Sequence, residues 1–287
     1  TMLKKRVDVF PTKFSFCLFI VAVLLACFSI NKGVASSNPA KHLSNIKNSV
    51  EHSSSLDLWS YNEKDLHPDP ALVIKKLPND FSYILLKNQH PKNRVGMHLY
   101  VQAGSIYESD SQQGLAHFLE HMLFNCSTHF KPDELVKFFQ SIGMQFGPDA
   151  NGHTGFDETV YDILLPEGNK ENLVKGLVVM KDFAEGALLL PSEIERERGV
   201  ILAEKRTRDS ASYRTYVKTL KFEFPDALIS KRLPIGQEEI LKKADQKQLK
   251  AFYDTWYRPD NMILVVVGDF DTGMAGMLIE YKFCKMV

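Results

Sequence analysis

His117-Phe118-Leu119-Glu120-His121 places two imidazoles one helical turn apart with a carboxylate between them. At about 100° per residue, Leu115, Phe118, Leu119, Met122 and Leu123 fall within roughly 140° of one another and form a stripe suited to burial. His117, Glu120 and His121 cluster on the opposite face. Neutral imidazole binds zinc well, and two at this spacing reach one ion, with the carboxylate beside them as a base. Phe124 shares the polar face, so that face is expected to be covered by another element.

A solvated face carrying two histidines and a glutamate would read the same, so a third donor has to be found. H-x-x-E-H is the inverse of the H-E-x-x-H zinc motif, and such sites need a further ligand from elsewhere in the fold. A second strong helix is announced by Pro191 and by Ser192, whose relation to Glu195 reads as a capping box. It is expected over residues 193–208. Ile194, Glu197, Ile201 and Glu204 fall within roughly 80° on the wheel, which puts two carboxylates on the stripe meant for burial. Unpaired there they would be costly, and a cation relieves that cost. Either Glu204 or Glu197 supplies the third metal bond while the other steadies a ligand from behind. Arg196, Arg198, Lys205 and Arg206 are also present, so a helix charged on all sides is the plain alternative.

Taken together, His117 to His121, Asn151-Gly152-His153-Thr154, Asp157-Glu158-Thr159-Val160-Tyr161 and Glu197-Arg198-Gly199-Val200-Ile201-Leu202-Ala203-Glu204 resemble the pitrilysin family of zinc peptidases, of the inverzincin type. The pattern is nearest to the bacterial envelope branch of that family, its processing-peptidase-like and PqqL-like members, and extends over residues 71–270. The resemblance implies an α+β fold with a mixed, mainly antiparallel sheet and helices packed on it. It implies that His117, His121 and Glu204 bind one Zn2+ per chain, that Glu120 is the catalytic base, and that Glu197 supports the site. It further implies that the strand at Asn151, Gly152 and His153 pairs with an extended substrate. Relatives often carry Ala and an aromatic residue after that Asn, where this chain has Gly152 and His153. A lone loop histidine is more often hydrogen-bonded than metal-bound, so His153 is not read as a ligand.

The implied activity is that of a zinc-dependent metalloendopeptidase acting on peptides or small proteins. Three protein ligands leave zinc a position for water, whose proton Glu120 takes and later passes to the departing amine. The alternative is a zinc-binding but nonproteolytic homologue or partner subunit. Family members usually hold at least two related domains, the second supplying an arginine and a tyrosine to the substrate. The reading expects only the first here, over residues 69–271, with residues 272–287 as a tail outside the resemblance. A second pitrilysin-type domain or a dimer mate would then complete the site.

The rest of the chain supports a layered unit of helices and strands. Residues 73–76 and 81–87 read as strands joined at Pro78-Asn79-Asp80, residues 95–103 alternate as a third, and residues 159–165 and 262–267 are β-rich runs ended by Pro166 and Gly268. Residues 133–142, 170–187 and 246–256 read as helices. Residues 209–234 mix Tyr213, Tyr216, Phe222 and Phe224 with basic residues, which packing and surface charge explain. Lys plus Arg and Asp plus Glu are both 35 across the 287 residues, so no basic surplus points to nucleic acid.

Residues 1–35 read as an export signal: Lys4, Lys5 and Arg6 precede an apolar run over residues 14–30, and Gly33-Val34-Ala35 offers a cleavage site. Retention as an N-terminal membrane anchor is the second option, given the length of the run, and lipidation at Cys27 the third. Residues 36–68 read as a polar linker. This places the chain in the periplasm or envelope of a bacterium. Cys126 and Cys284 are too few for a disulfide framework, and Cys126 reads as a packed thiol.

Overall fold

Residues 95–101 alternate between large apolar and smaller or polar side chains, and in the computed structural model, which describes residues 68–287, that alternation becomes the middle of a six-stranded sheet. The strands are β1 (Val73–Lys76), β2 (Ser82–Lys87), β3 (Val95–Val101), β4 (Ala150–Thr154), β5 (Thr159–Leu165) and β6 (Met262–Gly268). Their order is β1-β2-β6-β3-β5-β4, and β2 with β6 is the parallel pair in an otherwise antiparallel sheet. The mixed, mainly antiparallel α+β architecture implied by the resemblance is thus the one observed.

Val95, Met97, Leu99 and Val101 are buried while Gly96, His98 and Tyr100 between them are partly exposed. The register Leu99↔Tyr161 puts Tyr161, Ile163 and Leu165 of β5 on the same buried side. β6 is bonded on both edges, by β2 and β3, with Met262, Leu264 and Val266 buried on one face and Ile263, Val265 and Val267 partly buried on the other.

The helices are α1 (Leu115–Leu123), α2 (Glu134–Ser141), α3 (Lys170–Glu185), α4 (Pro191–Arg208), α5 (Ala211–Glu223), α6 (Glu238–Leu241), α7 (Gln246–Trp256) and α8 (Thr272–Phe283). α3 packs on β3 and β5 through Leu173, Gly176, Leu177, Met180 and Phe183, an i, i+3, i+4 stripe. The expected capping box of α4 is absent: Pro191 takes the first helical position, where its missing N–H costs nothing, and Ser192 lies inside the helix.

Two stretches are more regular than their sequences suggested. Residues 209–234 contain helix α5, with Leu220 as its buried residue. Residues 272–287, expected as a tail, contain α8, which Asp271 caps by accepting from Met274 N at 2.7 Å. Ala275, Ile279 and Phe283 are buried at i, i+4 spacing, Phe283 stacks on Phe81 at 4.6 Å, and Tyr83 donates to Glu280 at 2.8 Å. The export segment lies outside the described residues, and no helix among the described residues is long and apolar enough to cross a membrane.

Because the Phe283 ring is fully buried, Phe283→Ala is expected to lower the unfolding free energy by about 3–5 kcal/mol in urea denaturation. A loss below about 1 kcal/mol, the level of ordinary surface substitutions, would show that α8 is not part of the core.

Candidate metal centre

Gly114 opens α1 in the left-handed region, at φ 103°, and lets the chain turn sharply into a helix that is buried on nearly every side. Leu115, Phe118, Leu119, Met122 and Leu123 enter the core as the wheel requires. The opposite face is covered by α4 and by β4, so His117 and Glu120 are only 5% and 7% exposed. Phe124 seals the end of this face against Phe146, Tyr161 and Phe183.

α4 brings Glu204 to the two imidazoles. The separations are 3.2 Å from His117 Nε2 to His121 Nε2, 3.4 Å from His117 Nε2 to Glu204 Oε2, and 3.3 Å from His121 Nε2 to Glu204 Oε2. Tetrahedral zinc with bonds of about 2.0–2.1 Å has ligand–ligand edges of about 3.3 Å, so this triangle is one face of that tetrahedron. Two imidazoles and one carboxylate are also the donor chemistry of catalytic zinc, with the fourth corner left open.

The donors are held from behind. Glu197 lies on the same side of α4, two turns before Glu204, and its Oε1 is 2.8 Å from His121 Nδ1. Asn125 donates to Glu197 Oε2 at 3.1 Å and to the His121 carbonyl at 3.2 Å, and Arg196 donates to Asn125 Oδ1 at 2.6 Å. Arg208 pairs with the other oxygen of Glu204. The hydrogen bond from His121, together with the His117 and Arg208 charges, outweighs desolvation and holds the Glu204 pKa at about 2. Burial alone would lower the His121 pKa, but its bonds to Glu197 and Glu204 raise it to about 9. The cluster therefore concentrates negative charge around two imidazoles, an environment that suits a divalent cation.

Glu120 points from α1 toward β4. Thr154 donates to its Oε2 at 2.8 Å, while a Cβ placed on Gly152 would stand 2.9 Å from Oε1 and 3.0 Å from the Phe124 ring. The bare strand at Gly152 is what lets the carboxylate lie so close. Burial raises the Glu120 pKa against the opposing pull of His121 and Thr154.

His117, Glu120, His121, Glu197 and Glu204 are thus assembled in one place. Since Gly152 faces Glu120, the strand's alternation turns Asn151 and His153 to the other face of the sheet, where His153 Nδ1 is 3.8 Å from Asp162 Oδ2. Asn151, Gly152 and His153 do lie on β4, the last strand in the sheet order. Cys126 is a buried thiol outside the donor group. Thr154 and Asn125 were not singled out in the sequence. Thr154 has a signal, two residues beyond Gly152 and so on its face. Asn125, one turn after His121, is legible only once α4 is docked.

The chain is similar to several known proteins. The profile described as Insulinase (Peptidase family M16) matches residues 83–221, and that described as Peptidase M16 inactive domain matches residues 243–286. The chain is 35% identical over 221 residues to the "Probable zinc protease PqqL" of Escherichia coli K12, covering 77% of this chain and 24% of that protein. It is 37% identical over 217 residues to the protein of the same name from Haemophilus influenzae, covering 76% and 23%. The chain therefore spans about a quarter of the length of these curated relatives. Among solved structures, the first half of the periplasmic protease PqqL from Escherichia coli superposes with a TM-score of 0.74 at 35% identity, covering 76% of this chain and 47% of that one. With its sheet, its His-His-Glu cluster and these matches in agreement, the chain belongs to peptidase family M16, the insulinase and pitrilysin family.

Proposed function

We propose that this chain carries the metal half of a zinc-dependent metalloendopeptidase, with His117, His121 and Glu204 as the ligands of one zinc ion and Glu120 as general base. The observation that supports it best is the near-equilateral triangle of donor atoms, 3.2–3.4 Å on a side, built on the same helix as Glu120. Held by His117, His121 and Glu204, a zinc ion would supply an acidified water and a Lewis acid for the peptide carbonyl.

Glu120 is steadied through Oε2, which accepts from the Thr154 hydroxyl. Its burial makes the carboxylate a better proton acceptor, and the same proton is returned to the departing amine. Glu197 orients His121 by engaging Nδ1, which leaves Nε2 for the metal. The substrate is an extended peptide or small protein added along β4 at Asn151, Gly152 and His153. Recognition at these positions runs through the strand's backbone, because Asn151 and His153 turn their side chains away from Glu120. Export to the periplasm or envelope fits the N-terminal pattern and the relative described as a periplasmic protease. A second domain of this family, or a dimer mate, would complete the substrate enclosure.

In the full chain, Glu120→Gln is expected to keep zinc at one per chain and to lower peptide cleavage by about 10²–10⁴-fold. Persistent cleavage, or zinc lost with the carboxylate, would overturn the role of Glu120. Zinc affinity separates the remaining groups. Asn125→Ala is expected to weaken it by about 10–100-fold, as loss of an outer partner does, and Glu204→Gln by more than that. Equal zinc affinity in Glu204→Gln and the native chain, read by chelator competition, would remove Glu204 from the ligand set.

A further inference from the structure

The three donor atoms sit on two helices from distant parts of the chain, so the triangle is only as well defined as the docking of α1 on α4. At the C-terminal end of α1, Asn125 joins that helix to Arg196 and Glu197. We infer that residues 232–237 form the matching brace at the N-terminal end, with Glu108 and Lys205 as positioning residues that set the spacing of the metal donors. This inference rests on the reading of His117, His121 and Glu204 as zinc ligands.

Glu108 lies outside α1 but caps it. Its Oε2 accepts from Gly114 N at 2.9 Å and its Oε1 from Ala116 N at 2.8 Å, the residue before His117. Gly114 has no side chain to do this, so the first-turn amides of the metal helix depend on a carboxylate that is itself only 4% exposed. The loop bearing Glu108 is in turn held by the buried Arg232, which donates through Nε to the Glu108 carbonyl at 2.9 Å and through a terminal nitrogen to Asp110 at 2.6 Å. Ser105 closes the loop by donating to the Arg232 carbonyl at 2.6 Å.

The other end of the brace reaches α4. Gly236 packs directly on Gly114, where a Cβ on Gly114 would come within 2.9 Å of Gly236 Cα, and Gln237 N donates to the Gln113 carbonyl at 3.2 Å. The Gly236 carbonyl then accepts from Lys205 Nζ at 2.6 Å. Lys205 is the neighbour of Glu204, so an unbroken series of contacts runs from the amide before His117 to the residue after the third donor. Neither Glu108 nor Lys205 touches a donor atom in any of these bonds, which makes the two residues supports and not ligands.

The test uses the full chain and three variants, Lys205→Met, Lys205→Arg and Glu108→Gln. Zinc affinity is read by chelator competition and donor geometry by the visible spectrum of the Co2+-substituted protein, both well below each variant's unfolding midpoint. Lys205→Met and Glu108→Gln are expected to weaken zinc binding by about 10-fold or more and to change the Co2+ band pattern, and Lys205→Arg to restore both. Folded Lys205→Met with native zinc affinity and a native Co2+ spectrum would overturn the brace, as would loss of affinity that Lys205→Arg shares. Should Glu108→Gln fail to fold, the Lys205 pair decides the matter alone. His117→Ala and Glu204→Gln serve as the reference. If they bind zinc as the native chain does, the ligand assignment fails and the brace with it. If they lose zinc while Lys205→Met keeps it, the brace alone fails.

Discussion

Everything near the site follows from α1 having to bury two faces of opposite character. One is an apolar stripe that the sheet and α7 accept through dispersion and the hydrophobic effect. The other carries two imidazoles and a carboxylate, which tolerate burial only where each polar atom has a partner. α4 and β4 supply those partners: Glu197 and Glu204 from the helix, Thr154 from the strand. The three donor atoms that face one another are those a cation would tie together, so the cluster has the shape of a metal site. The buried ion pairs here are better understood as devices for orientation than as sources of stability.

Much of this was legible in the residues. The H-x-x-E-H spacing, the wheel over Ile194, Glu197, Ile201 and Glu204, and the alternation of β3 each rest on a short-range period that the fold leaves intact. The choice between Glu197 and Glu204 was not legible from the wheel, because both lie on one stripe and only the docked helix shows which carboxylate meets Nε2 and which meets Nδ1. The capping box at Ser192 failed because Pro191, already suited to the first helical position, moved the start of the helix upstream. α5 was missed because its surface residues carry little periodic burial, with Leu220 as the anchor. α8 had a readable period in Ala275, Ile279 and Phe283, but the glycines at 273 and 276 weaken its local helical propensity, and packing on α3, β2 and Phe81 supports it as a helix.

Family membership and mechanism stand on different supports. The sheet order, the matched profiles and the relatives establish what the chain is related to. What its own atoms add is local: a glycine at 152 where a side chain would press on Glu120, and a threonine that donates to one of its carboxylate oxygens. Both are features of β4, the strand that covers Glu120.

The sheet order has a kinetic side. β6, the last of the described strands in chain order, sits between β2 and β3, near the start of the described chain. Until it arrives, the two halves of the sheet have no shared edge. The sheet therefore stays in two parts while α1 and α4 are already made. Such long-range closure is slow, and it leaves strand edges exposed in the meantime. The β3-β5-β4 half, against which α1 packs through β4 and β5, pairs without β6, so the His-His-Glu triangle does not have to wait for the sheet to close.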